Sequence, residues 1–443
     1  MAIAFDRDAL RRLLVIGAGT LTVIGNTVRP AANDAIEVNG RVYAFPKHPT
    51  VIIVIDGFDP AYLEHGFKND TLPTMKSFDK TGFIGFADCS IPSTTNTNNT
   101  SIVTGVPPAV HGINGNYYLD RETGKEIMIT DASLLRCDTI LGELSQAGVQ
   151  TAVVTAKDKL LKVLAYKMSG IRFSSEHART ATLEDNEIEG VEALVGRAQP
   201  DQYSADLSLF VLDAGVKILA RSRPDLMYLS TSDYVQHLHA PGEAEADAYH
   251  AAVDEIVGKL VGLGATVAIT ADHGMNDKSA PDGTPNVIYL EDELNTRFGP
   301  GSVRVICPIA DPFVRHHGAL GSFVRVYLRN AGDIAAMMAF SRTLPGVELV
   351  LDKPQVCQRF DLPLDREGDF AVFGDRHTVI GARREEHDLS QLAGHRLRSH
   401  GGLAEQKVPF LLSRRLNAEY RGRAETGPLH NYDIFDFALN GVV

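Results

Sequence analysis

Cysteine is scarce in this 443-residue chain and tryptophan is absent: Cys89, Cys137, Cys307 and Cys357 are the only thiols. They lie far apart, with no CxxC or comparable ligand spacing. A disulfide framework and a zinc ribbon are therefore excluded, and reduced core thiols are expected. Basic residues are also in deficit, with 43 Lys and Arg against 56 Asp and Glu and a formal net charge of −13. That balance weighs against a large nucleic-acid footprint, which needs a basic face, and a small anionic substrate has to meet a local positive site. The apolar run from Leu13 to Gly25, behind Arg11 and Arg12, is too short to cross a bilayer. It has the outline of a short secretory signal, but Asp6 and Asp8 precede it, Gly and Thr interrupt it, and no small-x-small cleavage site follows. A cytoplasmic protein is expected, with residues 1–35 as an extension that is a helix or reflects a start placed too early.

What is present fits a soluble globular chain. Hydrophobic residues make up 44% and charged residues 22%, enough for a sizeable core without disulfides, and the length suits one large core with one insertion. Short β-rich apolar runs at Val51 to Ile55, Thr151 to Thr155, Leu226 to Ser230 and Ala265 to Thr270 read as central strands of a parallel sheet. Amphipathic patterns at Leu134 to Gln146, Ala205 to Arg221 and Glu243 to Leu263 supply the crossover helices. The expected fold is α/β, a doubly wound, mostly parallel sheet formed by residues 36–280 and 390–443. Residues 281–389 differ in character, because Phe323 to Leu328, the helical run Ile334 to Leu344, and Val347 to Leu351 make a small βαβ pattern. They are expected to form an inserted α+β cap.

Three of these strands run into carboxylates: Asp56 before Gly57, Asp233, and Asp272 before His273 and Gly274. In open parallel sheets ligands bind at the carboxyl ends of strands, so the three can converge. Taken singly, such an Asp is more often a cap or turn former. Asp233 and His237 are spaced i,i+4, on one face of a helical turn, and Gly274 gives the backbone freedom to turn Asp272 and His273 toward one ion. Aspartate with imidazole suits Zn²⁺, with Mn²⁺ or Fe²⁺ as alternatives. A nucleophile is offered by the Thr/Asn-rich stretch Ser93 to Ser101, a pattern that otherwise serves caps and turns. A threonine hydroxyl needs a divalent cation to act as an alkoxide at neutral pH.

Together these residues resemble the alkaline phosphatase superfamily, in its nucleotide pyrophosphatase/phosphodiesterase branch. The match comprises Asp56-Gly57, Pro92 to Thr95, Val103-Thr104-Gly105, His111-Gly112, Asp233 with His237, Asp272-His273-Gly274 and Ser399-His400-Gly401, in the family's order from about Val38 to the carboxyl terminus. The resemblance implies an alkaline phosphatase-like core and two Zn²⁺ per chain. Asp56, Thr95, Asp272 and His273 would hold one ion, and Asp233, His237 and His400 the other. It makes Thr95 the nucleophile and Asn116 a donor to the transferred phosphoryl group. Of the late histidines His316, His317, His377, His395 and His400, only His317 and His400 precede a glycine, and His317 falls in the cap. His239, turned away from His237 on a helix, is expected at the rim.

Lys157 and Lys159, directly after the strand Thr151 to Thr155, can bind a carboxylate as point charges, although paired lysines are usually just solvated. With Val38-Asn39-Gly40-Arg41 they make the chain resemble the phosphonoacetate hydrolases of the superfamily more than its nucleotide enzymes. That resemblance implies a small phosphonate substrate, carbon–phosphorus cleavage through a phosphothreonine, no nucleic-acid or membrane partner, and leaves a homodimer open. The alternatives are a phosphodiesterase or nucleotide pyrophosphatase, against which the 7% aromatic content weighs, a phosphoglycerate-mutase-like enzyme, and a non-catalytic metal-binding relative.

Overall fold

The structure, a computed structural model, describes residues 35–311, 318–329, 334–392 and 394–443. The apolar run Leu13 to Gly25 and the histidines His316 and His317 lie outside the described residues. Residues Ala32–Val443 form one compact unit.

Seven strands build the central sheet: β1 (Thr50–Val54), β2 (Phe83–Asp88), β3 (Thr151–Thr155), β4 (Ile171–Ser174), β5 (Leu226–Ser230), β6 (Thr266–Thr270) and, much later, Lys407–Leu412. Strands β1, β3, β5 and β6 are buried at every position. Continuous Val/Ile/Leu runs of this kind suit parallel strands covered on both faces. The order is β2, Lys407–Leu412, β6, β1, β5, β3, β4. From β6 to β4 all pairings are parallel, and Lys407–Leu412 lies antiparallel between β6 and β2. The fold is α/β with a mostly parallel sheet. Helices Ala205–Ser222 and Ala244–Gly262 form at the expected places and bury their apolar faces in the same core. The pattern at Leu134 to Gln146 forms a helix only from Ile140, where Thr139 caps it by accepting from Gly142 N at 3.1 Å. Upstream, Arg136 N is taken by His111 O at 3.1 Å, so the chain there serves a neighbouring loop.

A second sheet contains β7 (Val303–Ile306), β8 (Phe323–Leu328), β9 (Val347–Asp352) and β10 (Phe370–Gly374), in the order β7-β8-β10-β9. The helix Ile334–Ser341 joins β8 to β9 as expected, but those strands are not neighbours. Strand β10 lies between them, antiparallel to both, so the βαβ unit is split. This sheet packs its own cluster, including Val305, Val324, Val326, Met337 and Val372. Among the described residues no helix is long and apolar enough to cross a membrane.

Candidate active site

Strand β1 sits between β6 and β5, so the three strand ends that carry Asp56, Asp272 and Asp233 lie side by side at the carboxyl edge. Asp56 leads into Gly57, at φ 71°, where an added Cβ would come within 3.2–3.3 Å of Gln236 and Asp233; only glycine fits a turn this close to the next loop. Asp233 heads the short helix Tyr234–Leu238 and places His237 one turn on. Thr95 is the first residue of the helix Thr95–Thr104, at its positive end. His400 is delivered by a two-residue pairing of Arg398–Ser399 with Asn276–Asp277, just past β6.

The side chains converge. His273 Nε2 lies 3.2 Å from Asp56 Oδ1, 3.7 Å from Asp272 Oδ2 and 3.3 Å from Thr95 Oγ1. His237 Nε2 is 2.9 Å and His400 Nε2 3.7 Å from Asp233 Oδ2. Each of these imidazoles donates its Nδ1–H to a backbone carbonyl: His273 to Gly274 at 2.9 Å, His237 to Arg398 at 2.8 Å and His400 to Ser93 at 2.7 Å. A carbonyl can only accept, so these bonds fix the tautomer and turn three Nε2 atoms toward the carboxylates, the arrangement of metal-bound histidines. Two groups are tight enough to share an ion, Asp56 with Asp272 and His273, and Asp233 with His273 and His400. His273 thus borders both, whereas His237 stands beside Asp233 with its ring 5.5 Å from that of His400.

Electrostatics make the same point. Burial, then the charges of Asp233 and Asp272, push the Asp56 carboxyl well above its ordinary range. Burial acts to lower His273, but Asp272 and Asp56 outweigh it and hold the imidazole up to about 10. Burial and the neighbouring His273 and His237 push His400 far down. Asp56 Oδ1 is buried, with His273 Nε2 beside it at 3.2 Å. A lone pair on His273 Nε2 beside that oxygen is repulsive unless a cation lies between them, so the residues fit a divalent ion; a proton on Nε2 is the substitute.

A cleft of about 580 Å³, counting its open mouth, contains Thr95, Asp56, Asp233 and His400 together with Asn116, Lys157 and Lys159. Lys157 Nζ is 3.6 Å from Asp233 Oδ1. Burial lowers its pKa, but Asp233 and Asp56 raise it more, and the ammonium stays charged. Lys159 Nζ donates to Asp311 Oδ2 at 2.9 Å. Asn116 Nδ2 gives one proton to Ile309 O at 3.1 Å and keeps a second N–H. His239 leans on Glu243 at 3.3 Å, outside the cluster as expected. His111 is a structural residue: it bonds Ser101 at 2.8 Å, accepts from Ile113 N, and burial lowers its pKa to about 3.

Sequence reasoning missed three supports. Asn99 Nδ2 donates to Asp272 Oδ2 at 3.0 Å and to Thr95 O at 3.2 Å, tying the end of β6 to the start of the Thr95–Thr104 helix; its i,i+4 spacing from Thr95 was the available signal. Ser93 bonds Gly401 N at 3.1 Å and Gly402 O at 2.8 Å, clamping the loop of His400 to the loop of Thr95. Asp311 comes from the second sheet's side of the cleft, and no motif marked it.

Residues 50–402 match the family described as type I phosphodiesterase / nucleotide pyrophosphatase. The crystal structure of phosphonoacetate hydrolase from Sinorhizobium meliloti 1021 in complex with phosphonoacetate is 43% identical, with a TM-score of 0.87 over 93% of this chain and 100% of that one; its complex with phosphonoformate matches equally. A phosphonoacetate hydrolase of Penicillium oxalicum is 57% identical over 49 residues, 10% of this chain and 68% of that sequence. The murine ectonucleotide pyrophosphatase / phosphodiesterase 5 superposes with a TM-score of 0.57 over 89% of this chain and 96% of that one, at 15% identity, a likeness of fold alone.

Proposed function

The chain belongs to the type I phosphodiesterase / nucleotide pyrophosphatase family, and from that premise we propose that it hydrolyses the carbon–phosphorus bond of phosphonoacetate to acetate and phosphate. The observation that carries this reading is that Lys157 and Lys159 line the same cleft as Thr95. They offer two positive charges on the wall of that cleft, where a substrate carboxylate can meet them. The likeness to an enzyme that binds phosphonoacetate, over the whole of that enzyme's length, supports it.

In this proposal Asp56, Thr95, Asp272 and His273 would hold one divalent ion and Asp233, His237 and His400 the second, with Zn²⁺ best suited to the donor set. Bound ions supply positive charge that lowers the pKa of a hydroxyl or water and screens the phosphoryl oxygens. Thr95 Oγ1 gives up its proton to solvent and attacks phosphorus, and the P–O bond forms as the C–P bond breaks. The electron pair passes to the departing carbon and spreads onto the carboxylate as an enolate, which Lys157 and Lys159 stabilise. A solvent proton delivered to that carbon gives acetate. Asn116 donates an N–H to an equatorial phosphoryl oxygen. Water then attacks the phosphothreonine from the vacated side, the P–Oγ1 bond breaks, and phosphate leaves. Residues 281–389 act as a cap, Ile309 and Asp311 closing one wall of the cleft. The four free, mutually distant thiols go with a cytoplasmic setting.

The test is direct. Purified protein incubated with phosphonoacetate is assayed for acetate and, by phosphorus NMR, for inorganic phosphate in equal amounts. Hydrolysis of a bis(4-nitrophenyl) phosphodiester without acetate release from phosphonoacetate would replace this reading with that of a phosphodiesterase.

A further inference from the structure

Beneath the candidate metal ligands lies an ion pair that the chemistry above does not use. Lys278 Nζ meets Glu405 Oε1 at 2.8 Å, and both side chains are fully buried. Removing two charges from water carries a desolvation cost that their attraction at best repays, so such a pair is a poor way to gain stability and a better way to fix one geometry. Here its contacts are specific. Glu405 Oε1 also accepts from Asn276 Nδ2 at 2.7 Å, and Oε2 accepts from Gly402 N at 3.1 Å. Lys278 Nζ donates further to Arg376 O at 2.9 Å. Glu405 O accepts from Gly274 N at 2.8 Å.

The Glu405 main chain therefore holds the chain immediately after His273, and its carboxylate holds Asn276, three residues after His273, and Gly402, two residues after His400. Close packing confirms the fit: a Cβ on Gly274 would come 3.3 Å from the Glu405 backbone, and one on Gly402 within 3.3 Å of Oε2. The imidazoles so placed belong to the two candidate ion groups, with His273 common to both.

We infer that the buried Lys278–Glu405 pair is a positioning device that sets His273 and His400 relative to one another, and thereby the metal affinity of the site. Lys278 neutralises the carboxylate so that it can stay buried, and Glu405 distributes its two oxygens between the two loops. The inference rests on the two-metal reading above.

The experiment compares Glu405→Gln, which keeps shape but removes an acceptor charge, with wild type in three measurements: zinc retention against a graded chelator, the visible spectrum of the cobalt-loaded protein, and melting of the metal-free protein. Changes behind the ligands of a metal site typically cost 10–100-fold in metal affinity. Glu405→Gln is therefore expected to release zinc about 10–100-fold more readily, to alter the cobalt spectrum, and to recover kcat in excess zinc with KM little changed. Wild-type zinc retention and an unchanged cobalt spectrum, with only a lower melting temperature of the metal-free protein, overturn the inference. If Glu405→Gln does not fold, the double variant Lys278→Met, Glu405→Met removes both charges together and is judged by the same zinc and cobalt criteria. Failure of the underlying reading looks different, because wild type itself then retains no divalent ion.

Discussion

The imidazoles of His273 and His400 stack face to face, with ring centroids 3.5 Å apart and planes 9° from parallel. Both are buried, and each turns Nε2 toward a different carboxylate, His273 to Asp56 and Asp272, His400 to Asp233. Two imidazolium rings at this separation would repel strongly, so at most one can carry a proton. One imidazolium at most, with the Lys157 ammonium 3.6 Å from Asp233, therefore faces three buried aspartates.

Metal removal is accordingly expected to abolish turnover and to lower the melting temperature, because Asp56, Asp233 and Asp272 are then left with too little positive charge. Metal analysis should find two zinc ions per chain. Full activity in excess EDTA, with no divalent ion in the purified protein, would refute the mechanism.

Thr95→Ala should abolish turnover while the fold is kept. Thr94 is the control. Its Oγ1 faces Thr97 Oγ1 at 3.0 Å, whereas Thr95 Oγ1 faces His273 Nε2. Thr94 makes no side-chain cap bond, but Thr94→Ala removes its buried bond to Thr97 and should cost about 1–3 kcal/mol of stability while leaving turnover in place. A dead Thr94→Ala with an active Thr95→Ala would shift the nucleophile by one residue.

How much of this was legible in the sequence depended on whether the determinant was local. Strands β3 and β5 and the helix Ala205–Ser222 are written as runs of one periodicity, and their bounds were readable to a residue. Asp56, Asp233 and Asp272 were legible because a strand end is a fixed place in a parallel sheet. The helix before Gln146 was misjudged at its start because Arg136 bonds the distant His111 loop. Strand β10 could not be seen between β8 and β9, since strand order is a property of pairing across the chain. For the same reason Asp311, whose partner Lys159 lies 152 residues away in sequence, and Glu405, whose partners Lys278 and Asn276 lie 127 and 129 residues away, carried no readable signal.

Lys157 and Lys159 each rest against a carboxylate, Asp233 and Asp311, so they are already held where a substrate carboxylate could join them. Charge-assisted contacts of this kind are worth about 1.5–3 kcal/mol each. Lys159→Ala should therefore lower kcat/KM for phosphonoacetate by roughly ten- to a hundredfold, and hydrolysis of an aryl phosphonate ester lacking the carboxylate should change little. Lys157→Ala should show the same contrast. Equal losses on both substrates would sink the carboxylate clamp.

Away from the cleft, His250 should make stability fall in mild acid. It lies among Phe58, Tyr62 and Tyr249, donates Nδ1–H to Ala246 O at 2.8 Å, and takes the Gln236 amide on Nε2 at 3.3 Å. Burial lowers its pKa from 6.5 to about 4, against small opposing effects of the Ala246 bond and of Asp247. The folded state thus binds fewer protons than the unfolded state between those values. Its contribution is complete above pH 6.5 and is lost as pH falls toward 4, at up to about 1.4 kcal/mol per unit. Unfolding free energies of metal-free wild type and His250→Gln at pH 7.5 and pH 5 isolate the effect, since other groups cancel in the difference. The variant should lose roughly 2 kcal/mol less than wild type across that interval. An identical loss in both proteins would mean that His250 keeps an ordinary pKa in the folded state.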